Sequence, residues 1–262
     1  MSQPKILLFD IETMPDFKEV IKVWCSLSNF PGRTMKATIC SVLCVAWKEL
    51  GKKKINCINA WDYESWDDDI NDDYAVCKAI HEVMSDADVV ITHNGKRFDW
   101  KFLQTRFARH DLPFLPNIIH VDTCQLAKSN LLSYSNSLGY LNEWLGGDTK
   151  LENGGWDLWV RVSKKIGTAQ KLMSKYCKQD VSVLEELFIK LRPFAKNLPN
   201  RNIGRTGKQK EKFPLVCASC GSADFKPWGY YYTKTGKFRR LMCLTCGSWN
   251  RLDTKEKNPR AC

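Results

Sequence analysis

Acidic residues in three well-separated stretches have the types and spacing of a cage for divalent cations. Asp10 and Glu12 close the first apolar run, Leu7-Leu8-Phe9-Asp10-Ile11-Glu12-Thr13. Asp99 ends the segment Asn94-Gly95-Lys96-Arg97-Phe98-Asp99, and Asp180 ends Tyr176-Cys177-Lys178-Gln179-Asp180. Four carboxylates offer the hard oxygen donors that suit Mg2+ or Mn2+. Gathered without cations they would raise one another's pKa, so bound metal is what makes such a cluster tolerable. Two ions about 3.5–4 Å apart would activate water and stabilise the departing 3′ oxygen of a cleaved phosphodiester. Tyr176 is poorly suited to be the base, because a phenol with a pKa of about 10 stays protonated near neutrality. Orienting the attacking water is the role expected of it.

A second constellation lies near the C-terminal end. Cys217-Ala218-Ser219-Cys220 and Cys243-Leu244-Thr245-Cys246 form paired C-x-x-C turns with 22 residues between them, each followed by glycine. Four thiolates at this spacing predict a zinc ribbon holding one structural Zn2+, the staple that a module of this size needs in order to fold. Two disulfides or a redox-active C-x-x-C pair are the competing readings; an intracellular setting argues against the first and the lack of a thioredoxin-like context against the second. Between the knuckles, Trp228, Tyr230, Tyr231, Tyr232 and Phe238 are interleaved with Lys226, Lys234, Lys237, Arg239 and Arg240. Aromatics among cations suit a groove for single-stranded nucleic acid, with some of the rings packing the hairpin itself. Lys234, Lys237, Arg239 and Arg240 are therefore candidate substrate contacts, together with Asn94 beside the acidic cage.

The elements that position these groups follow from hydrophobic periodicity. Residues 5–11 are apolar on both faces and predict a central strand, with further strands at 39–47, 55–61, 89–92 and 117–121. On a strand, residues two apart share a face, so Asp10 and Glu12 can act together. Phe98, Phe102, Leu103 and Phe107 have helical spacing and put Asp99 in a first turn. Helices are also expected over 74–84, around 126–131, from Leu138 to the stop at Gly146-Gly147, and over 168–191 as one long or two-part helix on which Tyr176 and Asp180 share a face. Asp122 before Thr123 is read as a helix cap, His93 as a structural histidine, and Trp156 and Trp159 as packing residues more than base-stacking ones. The sum is an α/β fold, a mixed sheet covered by helices on both faces, followed by the small ribbon.

Of the formal charge of +11, residues 201–262 carry 14 Lys/Arg against 4 Asp/Glu, which leaves 26 against 25 in the first 200. A near-neutral body with a cationic end points to a polyanionic partner, nucleic acid above all, with a solvated basic tail as the bland alternative. Cys25, Cys40, Cys44, Cys57, Cys77, Cys124 and Cys177 are scattered singly and read as small buried hydrophobes; Cys262 is left over. No apolar run approaches the roughly 20 residues needed to span a membrane, and no signal-peptide layout opens the chain, so a cytoplasmic location is expected. The expected boundaries are 1–193 for the α/β domain, 194–212 for a basic linker, 213–252 for the ribbon and 253–262 for a basic tail.

The acidic stretches, in the order D-x-E, N-x-x-x-F-D and Y-x-x-x-D, resemble the three exonuclease motifs of the DEDDy family of 3′–5′ exonucleases. In particular they resemble the proofreading domain of B-family DNA polymerases. Any one motif is weak; all three in order are specific. The resemblance covers roughly residues 1–192 and implies a ribonuclease-H-like fold, metal ligation by Asp10, Glu12, Asp99 and Asp180, and Tyr176 beside the nucleophile. It also implies a stand-alone enzyme of bacterial or phage type, working in a bacterial or phage-infected cell. The activity expected is 3′–5′ hydrolysis of DNA, at single-stranded ends, with release of nucleoside monophosphates; a replication or repair protein is a candidate partner. RNA as the substrate, or a recruitment protein acting through its ribbon, are the alternatives.

Overall fold

A computed structural model of the chain describes residues 4–15, 40–148, 155–201, 212, 215–234 and 236–252. Cys25, the basic tail at 253–262 and most of the expected linker lie outside the described residues. Lys5–Leu187 make one compact unit, and the chain from Phe188 onward belongs to a second.

The first unit is built on five strands, β1 (Ile6–Pro15), β2 (Cys40–Glu49), β3 (Asn56–Asn59), β4 (Val89–Thr92) and β5 (Ile119–Asp122), in the spatial order β3-β2-β1-β4-β5. β1 pairs antiparallel with β2, and β2 with β3, whereas β1–β4 and β4–β5 are parallel. This is the mixed sheet that the apolar runs predict. The central strands read as continuous hydrophobic stretches because both of their faces are covered: Ile6, Leu7, Leu8, Phe9 and Ile11 of β1 and Val42 through Ala46 of β2 are all buried.

Among the described residues seven α-helices accompany the sheet, the last running into the second unit: α1 (Ser65–Asp68), α2 (Tyr74–Ser85), α3 (Asp99–Arg109), α4 (Thr123–Asn130), α5 (Leu138–Trp144), α6 (Trp156–Ser163) and α7 (Gly167–Leu191). The expected long helix is a single one of 25 residues. The third strand is shorter than expected and passes into a 3-10 turn at Ala60–Asp62, because Asp62 turns back to accept hydrogen bonds from the Asn59 backbone and side-chain amides. Among the described residues no helix is long and apolar enough to cross a membrane.

Two charged struts tie the helices to the sheet. Asp73, buried at the start of α2, accepts from the Val42 backbone N–H at 2.7 Å and from Arg106 Nε of α3 at 2.8 Å, and contacts His110 Nε2 at 2.6 Å. Val42 lies beyond the last residue of β2 that pairs with β3, so the carboxylate replaces a missing strand partner. On the opposite face, Lys48 of β2 meets Glu185 of α7, whose second oxygen accepts from the Gly51 N–H at 2.8 Å.

The second unit contains a three-stranded antiparallel sheet, β6 (Phe225–Thr233), β7 (Gly236–Cys243) and β8 (Trp249–Arg251), in the order β6-β7-β8. Arg192, in the 3-10 turn after α7, stacks on Phe188 and donates to the Ser219 carbonyl at 2.7 Å, joining the helix end to the first cysteine turn within this unit.

The Asp73 strut leads to a measurable outcome. Asp73→Ala leaves the Arg106 guanidinium buried without its partner carboxylate, and removal of one member of a buried pair costs about 3–5 kcal/mol. Urea unfolding at neutral pH is expected to show a loss of that order, and the double variant Asp73→Ala/Arg106→Leu to recover part of it. A single-variant loss below about 1 kcal/mol, the range of an exposed pair, would contradict the role given to this strut.

Candidate active site and cysteine ribbon

The acidic cage forms where the end of β1 meets α7. Alternation along β1 turns Phe9 and Ile11 to one face of the sheet, where Phe9 packs 6.5 Å from the Trp100 ring of α3, and turns Asp10 and Glu12 to the other. On that second face Asp180 of α7 is buried, and carboxylate oxygens of Asp10, Glu12 and Asp180 all lie within 4.8 Å of one another. Tyr176, one turn earlier on α7, is buried too, and the next residue, Cys177, donates its S–H to the Asp10 carbonyl at 3.6 Å. The strand end is shaped by a register shift between Glu12 and Thr13, and the Trp159 indole N–H donates to the Thr13 carbonyl at 3.1 Å. Trp159 thus anchors the strand, as its packing reading suggests, whereas Trp156 is exposed at the start of its helix.

Asp99 is positioned by a different part of the fold. The turn before it is organised by Asp122: Oδ1 accepts from the backbone N–H groups of Asn94, Cys124 and Gln125, and Oδ2 from that of Lys96. One carboxylate therefore caps α4, as expected, and also fixes the loop that delivers Asp99. Asn94 occupies the left-handed region with φ 64°, which asparagine tolerates, and its carbonyl accepts from Arg97 and Phe98. Gly95 is required because a Cβ there would stand 2.3 Å from Thr92 Oγ1, itself tied to His120 Nε2 at 2.8 Å. His93 bridges Thr123 Oγ1 and the Asn136 carbonyl, each at 2.9 Å, which is the structural role anticipated for it.

The structure does not bring Asp99 into the set of mutually close donors formed by the other three acids. Its carboxylate is hydrogen-bonded instead by its own backbone N–H and by that of Ile11. β4 pairs with β1 only through Leu8, so the β1 edge is open near Ile11, and Asp99 fills it. Burial is the main cause that raises the Asp99 carboxyl from 3.8 to about 7, with the two backbone donors opposing it and the charge of Asp122 adding to it. Burial likewise pulls His120 down to about 4, so the ring beside Thr92 is neutral near pH 7.

In the ribbon, Cys217, Cys220, Cys243 and Cys246 converge with their sulfurs within 4.8 Å, with Cys217–Cys246 at 3.7 Å and Cys220–Cys243 at 3.6 Å. The two turns have the same construction. Cys217 and Cys243 donate their backbone N–H to the carbonyls of Ser222 and Ser248, and accept from the N–H of Gly221 and Gly247, whose φ values are 80° and 72°. The glycine after each C-x-x-C is therefore a conformational requirement. Burial works to raise the Cys217 thiol, but donation from Cys220, Ser219 and the Asn250 amide holds it down to about 7. Four convergent thiols fit Zn2+, and three convergent carboxylates fit a harder cation such as Mg2+ or Mn2+.

The ribbon's cations divide between its two faces. Arg239 stands opposite Tyr230 and Lys237 opposite Tyr232, and Lys237 Nζ lies 3.7 Å from the Tyr230 ring centre. On the other face Arg240 covers Trp249 and Arg251 covers Phe238 and Tyr231. There Tyr231, Trp249, Arg240 and Arg251 line a pocket of about 460 Å³. Trp249 and Arg251 escape a reading of the sequence because they follow the second knuckle, outside the aromatic-rich hairpin; only the third strand returns them to it. Lys234 is exposed in the β6–β7 turn.

The position of Asp99 sets a pH dependence. Its folded-state value lies above the unfolded one, so the folded protein holds the extra proton between roughly pH 4 and pH 7, and the associated stability is lost as pH rises through about 7. In buffer free of Mg2+ and Mn2+, Asp99→Asn is expected to raise the melting temperature at pH 8 and to leave it nearly unchanged at pH 5, since the amide retains an oxygen for the two backbone donors. Equal effects at the two pH values would show that the carboxyl does not titrate in this way.

A family model described as RNase_H superfamily matches residues 42–192. No curated protein sequence matches the chain. Among solved structures, the chain is similar to the family B DNA polymerase from the hyperthermophilic archaeon Pyrobaculum calidifontis, with 17% identity and a TM-score of 0.53. The match covers 73% of this chain and 25% of the polymerase, so it spans about a quarter of that protein's length and speaks to fold alone. A family match over more than half of the residues, on a five-stranded mixed sheet flanked by helices, shows that the chain belongs to the RNase H superfamily.

Proposed function

We propose that this protein is a metal-dependent 3′–5′ exonuclease that hydrolyses phosphodiester bonds at DNA ends and releases nucleoside monophosphates. The observation that carries this reading is the convergence of Asp10, Glu12 and Asp180, from a central strand and a distant helix, within 4.8 Å. Carboxylates repel one another, so gathering three of them at a helix face is costly unless a cation offsets their charge. In this reading Asp10, Glu12 and Asp180 are the core of the ligand set and Asp99, hydrogen-bonded to the Ile11 N–H at the adjoining strand edge, would join them once deprotonated; two Mg2+ or Mn2+ ions held there would neutralise charge at the phosphate and lower the pKa of water. Tyr176, one turn from Asp180, orients the attacking water by hydrogen bonding through its phenol. The DEDDy motif order supports 3′–5′ polarity, and likeness in fold to a DNA polymerase supports DNA as the substrate.

The ribbon, held by one Zn2+, is the grip. Its pocket sets the faces of Tyr231 and Trp249 beside Arg240 and Arg251, a combination suited to stacking an unpaired base and neutralising its phosphate. Lys237 and Arg239 serve the opposite face, with Lys234 at the hairpin turn and Asn94 beside the cage. Residues 1–193 thus carry cleavage and 213–252 substrate capture, or the docking of a replication or repair protein.

End-labelled single-stranded DNA and RNA, each with either terminus blocked, test substrate and polarity together. Asp10→Ala and Asp180→Ala are expected to bring cleavage to background. Tyr176→Phe is expected to slow it by less than the roughly 10²-fold or more that loss of a general base costs, while metal affinity is retained. Full rates in the carboxylate variants would remove the cage from the mechanism, and faster digestion of RNA would reassign the substrate. Arg240→Ala/Arg251→Ala is expected to weaken capture of long strands and to flatten its salt dependence, with turnover on very short oligomers little changed. Equal losses on long and short substrates would contradict the division of labour.

A further inference from the structure

Three of the cysteines that look isolated in the sequence are neighbours in space. Cys44 of β2, Cys57 of β3 and Cys177 of α7 have sulfur atoms within 4.8 Å of one another. Sheet register explains the meeting. Cys44 pairs with Asn59 on one side and with Glu12 on the other, and Cys57 pairs with Ala46, so both cysteines face the side of the sheet that α7 covers. Cys177 comes down from that helix.

We propose that Cys44, Cys57 and Cys177 form a binding site for a thiophilic divalent cation of the Zn2+ or Cd2+ type, distinct from both the acidic cage and the ribbon. Three thiolates are soft donors that select such ions over Mg2+ or Mn2+. The geometry needs little change: two Zn–S bonds of 2.3 Å at a tetrahedral angle place the sulfurs about 3.8 Å apart, so closure from the present arrangement takes at most about 1 Å. Asn59 Oδ1, 3.2 Å from Cys57 Sγ, stands where an oxygen donor could complete a fourth position. Binding exchanges three S–H protons for three metal–sulfur bonds and leaves a net charge of −1. A monovalent ion would leave −2 beside Asp10 and Glu12, which favours the divalent one. Hydrogen bonds from Cys177 and Cys44 are the chief cause that lowers the Cys57 thiol, with the Lys178 charge adding to them and burial and the Asp62 charge opposing.

Access is provided on one side. Cys44 and Cys177 are fully buried, but Cys57 is half-buried. Asn59 and Ser174, hydrogen-bonded to each other at 2.7 Å, belong to the wall of an open pocket of about 580 Å³. An ion entering there meets Asn59, whose Oδ1 accepts from Cys57 Sγ. Once bound it would link β2, β3 and α7.

The test uses the full chain, reduced and freed of metal, titrated with Cd2+ and followed by the ultraviolet thiolate-to-metal charge-transfer band. The wild type is expected to take one thiolate-bound equivalent more than Cys57→Ser, the ribbon accounting for what persists in the variant. Equal stoichiometry in the two overturns the proposal. Should Cys57→Ser fail to fold by circular dichroism, alkylation of the wild type decides the question. Zn2+ is then expected to slow modification of Cys57 by iodoacetamide at least about tenfold, and an unchanged rate overturns the site. Neither readout depends on nuclease activity.

Discussion

Mutual repulsion among carboxylates at the end of β1 is the constraint around which the first unit is organised. Asp10, Glu12 and Asp180 have oxygens within 4.8 Å of one another, and Asp99 is buried at the adjoining strand edge. A cluster of that kind is unfavourable by itself and persists only because the surrounding structure over-determines it. β1 is paired on both sides, Trp159 ties its end, and Cys177 donates to the backbone of Asp10 itself. The unfavourable charge is localised where cations can offset it, which is how a folded protein stores affinity for metal.

Other charges in the unit do the opposite work. Asp73 and Asp122 are buried acids with several donors each, and both are satisfied by backbone N–H groups that the sheet and helices leave open. Arg106 neutralises the first. Asp122 shows how one side chain can cap a helix and hold a functional loop at once, since the turn bearing Asn94 and Gly95 hangs on the same two oxygens as the start of α4.

The two metal-suited centres obey different chemistry. The cage presents oxygens on a rigid strand and helix; the ribbon presents thiols on two identical turns, each closed by a left-handed glycine. A ribbon of three short strands has little core of its own, so metal–thiolate bonds would replace the hydrophobic burial it lacks. Its cations are offset by aromatic faces more than by acids, which leaves them available to a polyanion.

Motif order, strand alternation and helical period determined a good deal by themselves: the mixed sheet, the long helix bearing Tyr176 and Asp180, the capping role of Asp122 and the pairing of the C-x-x-C turns. Most of these are local properties, written at separations of two to four residues, and local stereochemistry is what a sequence displays. Tertiary structure alone decided that Asp99 turns to the Ile11 N–H at an open strand edge, that Trp249 and Arg251 return to the aromatic hairpin, and that Cys44, Cys57 and Cys177 share one small space. Each of these depends on which strand lies beside which and in what register. Register is set by the packing of whole elements, and residues on different elements carry no mark of it until the sheet closes.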